Sequence, residues 1–145
     1  MEILKRLLGL VLLAILILAV LTSTTDIYPT KEGQGDEIYY QNLIARYAKE
    51  YDLDPFMIAA VIRVESSYRE HVVSHMNAHG LMQLLPETAQ WIAMQLGEEY
   101  KEEEISHPET NIRYGSYYLS YLKDHFGTWD LAFAAYNGGM TNVSH

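Results

Sequence analysis

Apolar residues fall along this chain in two kinds of pattern, one continuous and one periodic. The continuous one is residues 7 to 21, fifteen positions from Leu7 to Leu21 with no charged or polar side chain. The periodic one begins after Asp36. Ile38, Leu43, Ile44, Tyr47, Ala48 and Tyr51 recur at three- and four-residue spacing, which predicts a helix with one buried face. Asp54-Pro55 is a start signal, a carboxylate able to cap followed by a proline whose missing N–H costs nothing at the first helical position. The helix it opens runs through Phe56, Ile58, Ala59, Val61, Ile62 and Val64 to Glu65. Tyr68 to Gly80 has no period and reads as loop. Pro86 opens a further helix through Ala89, Ile92, Ala93 and Leu96, with Gly97 as its stop. Pro108 opens another, carrying Ile112, Leu119, Leu122 and Phe126 up to Gly127, and Trp129 to Tyr136 is a last buried helix. No segment sustains period-two alternation, so the expected fold class is all-α.

Lys5 and Arg6 stand directly before the apolar run, the arrangement that the export machinery reads. Residues 1–23 are therefore expected to be a signal peptide or a membrane anchor, with the positive end inside and the rest of the chain outside the cytoplasm. The run is short for a full span of about 20 residues. Yet Leu21-Thr22-Ser23-Thr24-Thr25 offers no good small-x-small cleavage site, which favours the anchor over the cleaved signal. Residues 24–35, with Pro29 and Gly33-Gln34-Gly35, have linker composition, and 36–145 is the expected domain. The chain has no cysteine. A lipoprotein-type anchor and disulfides are thereby excluded, and the domain must hold by its core alone.

From Lys31 onward the sequence has 17 acidic and 8 basic residues. Such a balance excludes nucleic acid as a partner, because phosphates demand a basic surface. A neutral or mixed-charge polymer remains suitable. The run from Glu98 to Glu104 is read as a solvated surface segment.

Glu65 ends one of the most apolar stretches of the domain. A carboxylate in apolar surroundings resists ionisation and can donate a proton near neutral pH, which is what a glycosidic oxygen needs in order to leave. The ordinary alternative is an exposed glutamate paired with Arg69 four residues on. Three blocks bear on the choice. Glu65-Ser66-Ser67-Tyr68, Ser74 and the run from Ala78-His79-Gly80-Leu81-Met82-Gln83 to Ala89 form the first. Pro108-Glu109-Thr110-Asn111-Ile112, Gly115, Tyr118-Leu119 and Leu122 form the second. Ala134-Ala135-Tyr136-Asn137-Gly138-Gly139 is the third. Together, and in this order, they resemble the signature of the soluble lytic transglycosylases of the lysozyme-like superfamily, over roughly Asp52 to Val143.

That resemblance implies a lysozyme-like helical fold and a cleft crossed by a peptidoglycan glycan strand. At the position matching Glu65 the family has its acid and base. Ser74, Gln83 and Leu85 match positions lining the sugar path, Tyr136 matches a tyrosine whose hydroxyl approaches the catalytic carboxylate, and Asn137 follows it. The implied reaction breaks the N-acetylmuramic acid to N-acetylglucosamine linkage. Glu65 protonates the leaving oxygen, then takes the proton of the muramic C6 hydroxyl as a 1,6-anhydro ring closes. No cofactor or metal enters, and a monomer suffices. A hydrolytic muramidase on the same fold and a non-catalytic peptidoglycan-binding module stay open as alternatives.

Two positions depart from the resemblance. Asn77 stands where glycine is usual, a change that asparagine's tolerance of positive φ can absorb. Met140-Thr141 replaces the usual Pro-Gly, and the domain is expected to be short at its C-terminus. Met82 is expected in the core. Tyr114, Tyr117, Tyr118 and Tyr121, at helical spacing, are expected chiefly to pack. His71, His75 and His79 are four apart, a metal-like spacing only if they lie on a helix; in the loop expected here they are surface histidines.

Overall fold

The structure, a computed structural model, describes residues 34–143. The expected signal or anchor, 1–23, and the linker up to residue 33 lie outside the described residues, as do 144 and 145. The chain divides into two units, Met1–Tyr39 and Tyr40–His145, and the second carries the site. The helices are α1 (Gln34–Glu50), α2 (Pro55–Glu65), α3 (Pro86–Leu96), α4 (Pro108–Phe126), α5 (Trp129–Gly138) and the short α6 (Met140–Val143), with one 3-10 turn at Glu102–Glu104. The first helix begins at Gln34, within the stretch read as linker. Among the described residues there is no strand, only isolated bridges pairing Val73 with His79 and His79 with Leu84. No helix among them is long and apolar enough to cross a membrane.

The start and stop signals act where the sequence puts them. Proline occupies the first turn of α2, α3 and α4. Asp54 Oδ1 accepts the Phe56 N–H at 2.8 Å, satisfying one of the donors that a helix N-terminus leaves open. Gly97 and Gly127 end α3 and α4 in the left-handed region, at φ 71° and 79°, which a Cβ would disfavour.

Helix α4 is the axis of the domain. Asn111, Ile112, Tyr114, Gly115, Ser116, Tyr118, Leu119 and Leu122 are all buried along it, far more than one amphipathic face supplies. Ile112 and Leu119 join α1, α2, Leu81 and Met82 in one core cluster. Tyr114, Tyr118 and Leu122 join α3, Ile105 and the buried alanines of α5 in the other. Met82 is fully buried, as expected, and Tyr117 and Tyr121 pack on Trp91, with ring centroids 6.4 and 4.8 Å away. Met140, at the departure from the family pattern, starts α6 and packs on the second cluster.

Gly115 allows α4 to pass close beneath the loop before α3. A Cβ at this position would lie 2.9 Å from Met82 Cβ and nearer still to its thioether, inside a core with no slack. Gly115→Ala is therefore expected to cost about 1–3 kcal/mol. Urea denaturation should show a lower midpoint at an unchanged slope; an unmoved midpoint would show that Met82 yields freely.

Candidate active site

Glu65 is the last residue of α2, followed by Ser66, whose hydroxyl donates back to the Ile62 carbonyl at 3.1 Å. The carboxyl thus stands at the negative end of the helix dipole, a poor place for an anion. It is half-buried, and burial raises its pKa above the ordinary 4.5. Among the described residues no hydrogen bond or ion pair engages it. Arg69 is exposed and spends its Nε on the Ser66 carbonyl, at 2.9 Å. The helix has ended before it, so the four-residue pairing with Glu65 does not form. The preceding apolar run is only partly the cause of the burial. Ile58 and Ile62 are fully buried and Val61 nearly so, but Val64 is 81 % exposed, because a helix turns every fourth side chain outward.

The segment after Glu65 is compact and tightly turned. Ser67, Tyr68, Asn77 and Gln83 all have positive φ, of 52°, 63°, 61° and 50°. Asn77 accepts the conformation its glycine-like position asks for. Ser74 Oγ accepts the N–H groups of Met76 and Ala78, at 3.2 and 3.0 Å, and so closes the turn. Gln83 Nε2 donates to the carbonyls of Val72 and Gly80, at 3.1 and 2.9 Å, and ties the two limbs together. Leu85 is the half-buried residue before Pro86.

Tyr136 projects from α5 and donates its hydroxyl to the Met82 carbonyl at 2.7 Å. Burial, then the negative charge of Glu65, then Tyr118 push its pKa well above the usual value, so Tyr136 and Glu65 share one electrostatic neighbourhood. The proton of the hydroxyl is committed to the Met82 carbonyl. Asn137 is exposed and bonds the Phe133 carbonyl of its own helix at 3.1 Å. A hydrogen bond joins Tyr136 to the Met82–Gln83 turn, Ser74 is part of the loop that follows Glu65, and Asn137 is turned outward.

Asn111, one residue of the second block, is fully buried and accepts the Met82 N–H at 2.7 Å. A polar residue in phase with the apolar positions of α4 was the available signal. His71, His75 and His79 lie in non-helical chain. His71 pairs with Glu70 at 2.7 Å, while His79 faces Asn77 and Ser106 at 3.1 and 3.4 Å. Among the described residues no three such side chains are grouped to hold a metal. A cavity of about 670 Å³ lined by Tyr47, Glu98, Arg113 and Tyr114 contains none of the residues expected in the site.

The described residues form a helical domain with a half-buried glutamate at a helix end, consistent with a lysozyme-like fold. Residues 42–145 match the transglycosylase SLT domain, and the chain belongs to that family. It is 37% identical over 107 residues to the soluble lytic murein transglycosylase of Salmonella typhimurium, a match covering 72% of this chain and 17% of that protein. It is 34% identical over 90 residues to the membrane-bound lytic murein transglycosylase C of Actinobacillus pleuropneumoniae, covering 60% of this chain and 25% of the relative. Among solved structures it is similar to the 70 kDa soluble lytic transglycosylase of Escherichia coli, with a TM-score of 0.68 and 32% identity over 72% of this chain and 18% of that one. The chain thus spans a quarter or less of the length of these relatives.

A carboxyl whose pKa is raised by folding favours the fold while protonated. That contribution is fully present below the unfolded value and is lost as pH rises through the higher folded value. Glu65→Gln removes the ionisation. The variant should melt above the native chain near pH 7, with the gap closing toward pH 4. A variant less stable at neutral pH would mean that the carboxylate is paired after all.

Proposed function

We propose that the chain is a lytic transglycosylase that cleaves the β-1,4 linkage between N-acetylmuramic acid and N-acetylglucosamine in peptidoglycan strands, with Glu65 as acid and then base. The observation carrying this reading is the Glu65 carboxyl itself, half-buried at a helix C-terminus with no counter-charge, and so biased toward the protonated form. The names of the relatives, murein transglycosylases both soluble and membrane-bound, support the substrate class and a site of action outside the cytoplasm.

Ordinary glycosidases place a second carboxylate across the scissile bond. Glu70 is a poor candidate, since its two oxygens are taken by the Tyr40 hydroxyl and His71, each at 2.7 Å. Asp130 is exposed in the first turn of α5, favourable for an ordinary helix-start carboxylate. With one carboxyl, the nearest nucleophile is the C6 hydroxyl of the same muramic residue. Intramolecular attack can reach an effective molarity on the order of 10⁵ M or more, enough to outrun unpositioned water at about 55 M. Glu65 protonates the leaving oxygen, and the muramic N-acetyl carbonyl can stabilise the cationic anomeric carbon. The carboxylate then accepts the C6 proton as the ring closes.

The loop residues suit a polyhydroxyl ligand. Ser74 Oγ is engaged as an acceptor, which leaves its proton for a sugar oxygen, and Gln83 spends its amide nitrogen on the loop, which leaves its oxygen for a sugar hydroxyl. In this reading Leu85, Tyr136 and Asn137 complete the sugar path.

Incubation with purified peptidoglycan, followed by mass spectrometry of the released muropeptides, tests the proposal. The products should end in 1,6-anhydromuramic acid, lighter by one water than hydrolytic products. Glu65→Gln should reduce release by about 10²-fold or more. Reducing-end muramic acid as the main product would mean a hydrolase, and binding without release a binding module.

A further inference from the structure

Arg69 lies between the residues that carry the family resemblance and is not one of them. Its place follows from how α2 ends. The helix stops at Glu65, and the Ser66 carbonyl that follows accepts both the backbone N–H and the side-chain Nε of Arg69, at 3.2 and 2.9 Å. Two bonds to one oxygen fix the inner end of the guanidinium. Its outer edge, the two terminal amino groups, is exposed and has no hydrogen bond or ion pair among the described residues. Ser66 is one peptide bond from Glu65, so Nε lies within about 9 Å of the Glu65 Cα.

A free guanidinium edge is notable in so acidic a domain. Arg46 is paired with Glu109, and Arg113 with Glu98. Arg69 has Glu65 four residues before it and Glu70 directly after, yet Glu70 is taken by the Tyr40 hydroxyl and His71. Of the described arginines only Arg63 is likewise without a carboxylate. It is exposed two residues before Glu65, nearly on the opposite face of the helix.

A guanidinium held at Nε keeps the edge that bonds a carboxylate through two parallel N–H groups. The proposed reaction takes place at the anomeric carbon of a muramic residue, and that same sugar carries the peptide stem on its lactyl group. The stem therefore leaves the glycan a few bonds from the scissile linkage. Stems bear free carboxylates, whereas the N-acetylated sugars bear none. We propose that Arg69 binds a carboxylate of the peptide stem at the cleavage site and so makes the chain selective for strands that still carry their stems. This rests on the reading of the chain as a peptidoglycan-cleaving enzyme. The net charge of −9 repels an anionic stem, and a cation held open beside Glu65 offsets that repulsion where it matters.

The test is a binding measurement at low salt, in the full chain carrying Glu65→Gln so that no strand is cut. Three soluble preparations of peptidoglycan strands are compared: stems intact, stem carboxylates converted to amides, and stems removed by an amidase. With Arg69 present, intact strands should bind about fivefold more tightly than amidated ones. Arg69→Gln keeps an N–H for the Ser66 carbonyl and loses the charge. It should weaken binding of intact strands by about that factor and leave the other two unchanged. Arg63→Gln removes the same charge from the far face of α2 and should change none of the three. Equal weakening of all three by Arg69→Gln would mean that the side chain serves only the turn, and equal weakening of intact strands by Arg63→Gln would mean a general field; either overturns the proposal. Should Arg69→Gln disturb the fold, the intact and amidated strands on the Arg69 chain decide alone, and equal affinity, or no binding, overturns it. Product analysis is read separately. Hydrolytic products, or none, from a chain that keeps the contrast between intact and amidated strands end the transglycosylase reading alone, and anhydro products from a chain without that contrast end this inference alone.

Discussion

Met82 offers one N–H and one carbonyl, and side chains from α4 and α5 take both. Much of the site depends on that. Between Glu65 and Pro86 four residues other than glycine have positive φ. Such conformations cost on the order of 1–3 kcal/mol each and persist only where their surroundings over-determine them. Here Asn111 holds the 79–82 turn from below, Gly115 admits the Met82 side chain into the core, and Gln83 and Ser74 close the loop from within. The strained segment is thereby fastened to the most buried helix of the domain.

The carboxyl is tuned by what it lacks. Its helix ends at it, the arginine that could have neutralised it bonds a backbone carbonyl, and the tyrosine beside it has given its proton away. The chain's net charge of −9 adds a diffuse field of the same sign. Burial makes ionisation harder, and none of these neighbours supplies a partner for the charge, which suits a group proposed to deliver a proton and then recover one. Acid and base need not be two residues when the substrate supplies the nucleophile from its own ring.

Much of this architecture was legible in the sequence because its signals are local. Proline starts, glycine stops and three-to-four periodicity located α2, α3 and α4 at their observed ends. Glu65 was legible as a helix end, but the apolar run before it predicted burial for a partly wrong reason, since Val64 faces solvent. Ser74 and Gln83 were legible as positions and not as structural ties, because their partners are backbone groups in a loop without periodicity. Asn111 was the residue missed. Its importance comes from a bond spanning 29 residues, which no local pattern encodes. The histidines show the converse: spacing by four has meaning only on a helix, and residues 71–79 are not one.

The central claim is that one carboxyl, protonated at the outset, serves both proton transfers. The pH dependence of kcat/KM for release of peptidoglycan fragments tests it most directly, because that ratio reports the ionisations of the free enzyme. The account predicts a single descending limb, with its midpoint above the ordinary glutamate value and matching the titration of Glu65, and no ascending limb from a second carboxylate over the range in which the fold is intact. A bell-shaped profile whose acid limb belongs to another carboxylate would contradict it.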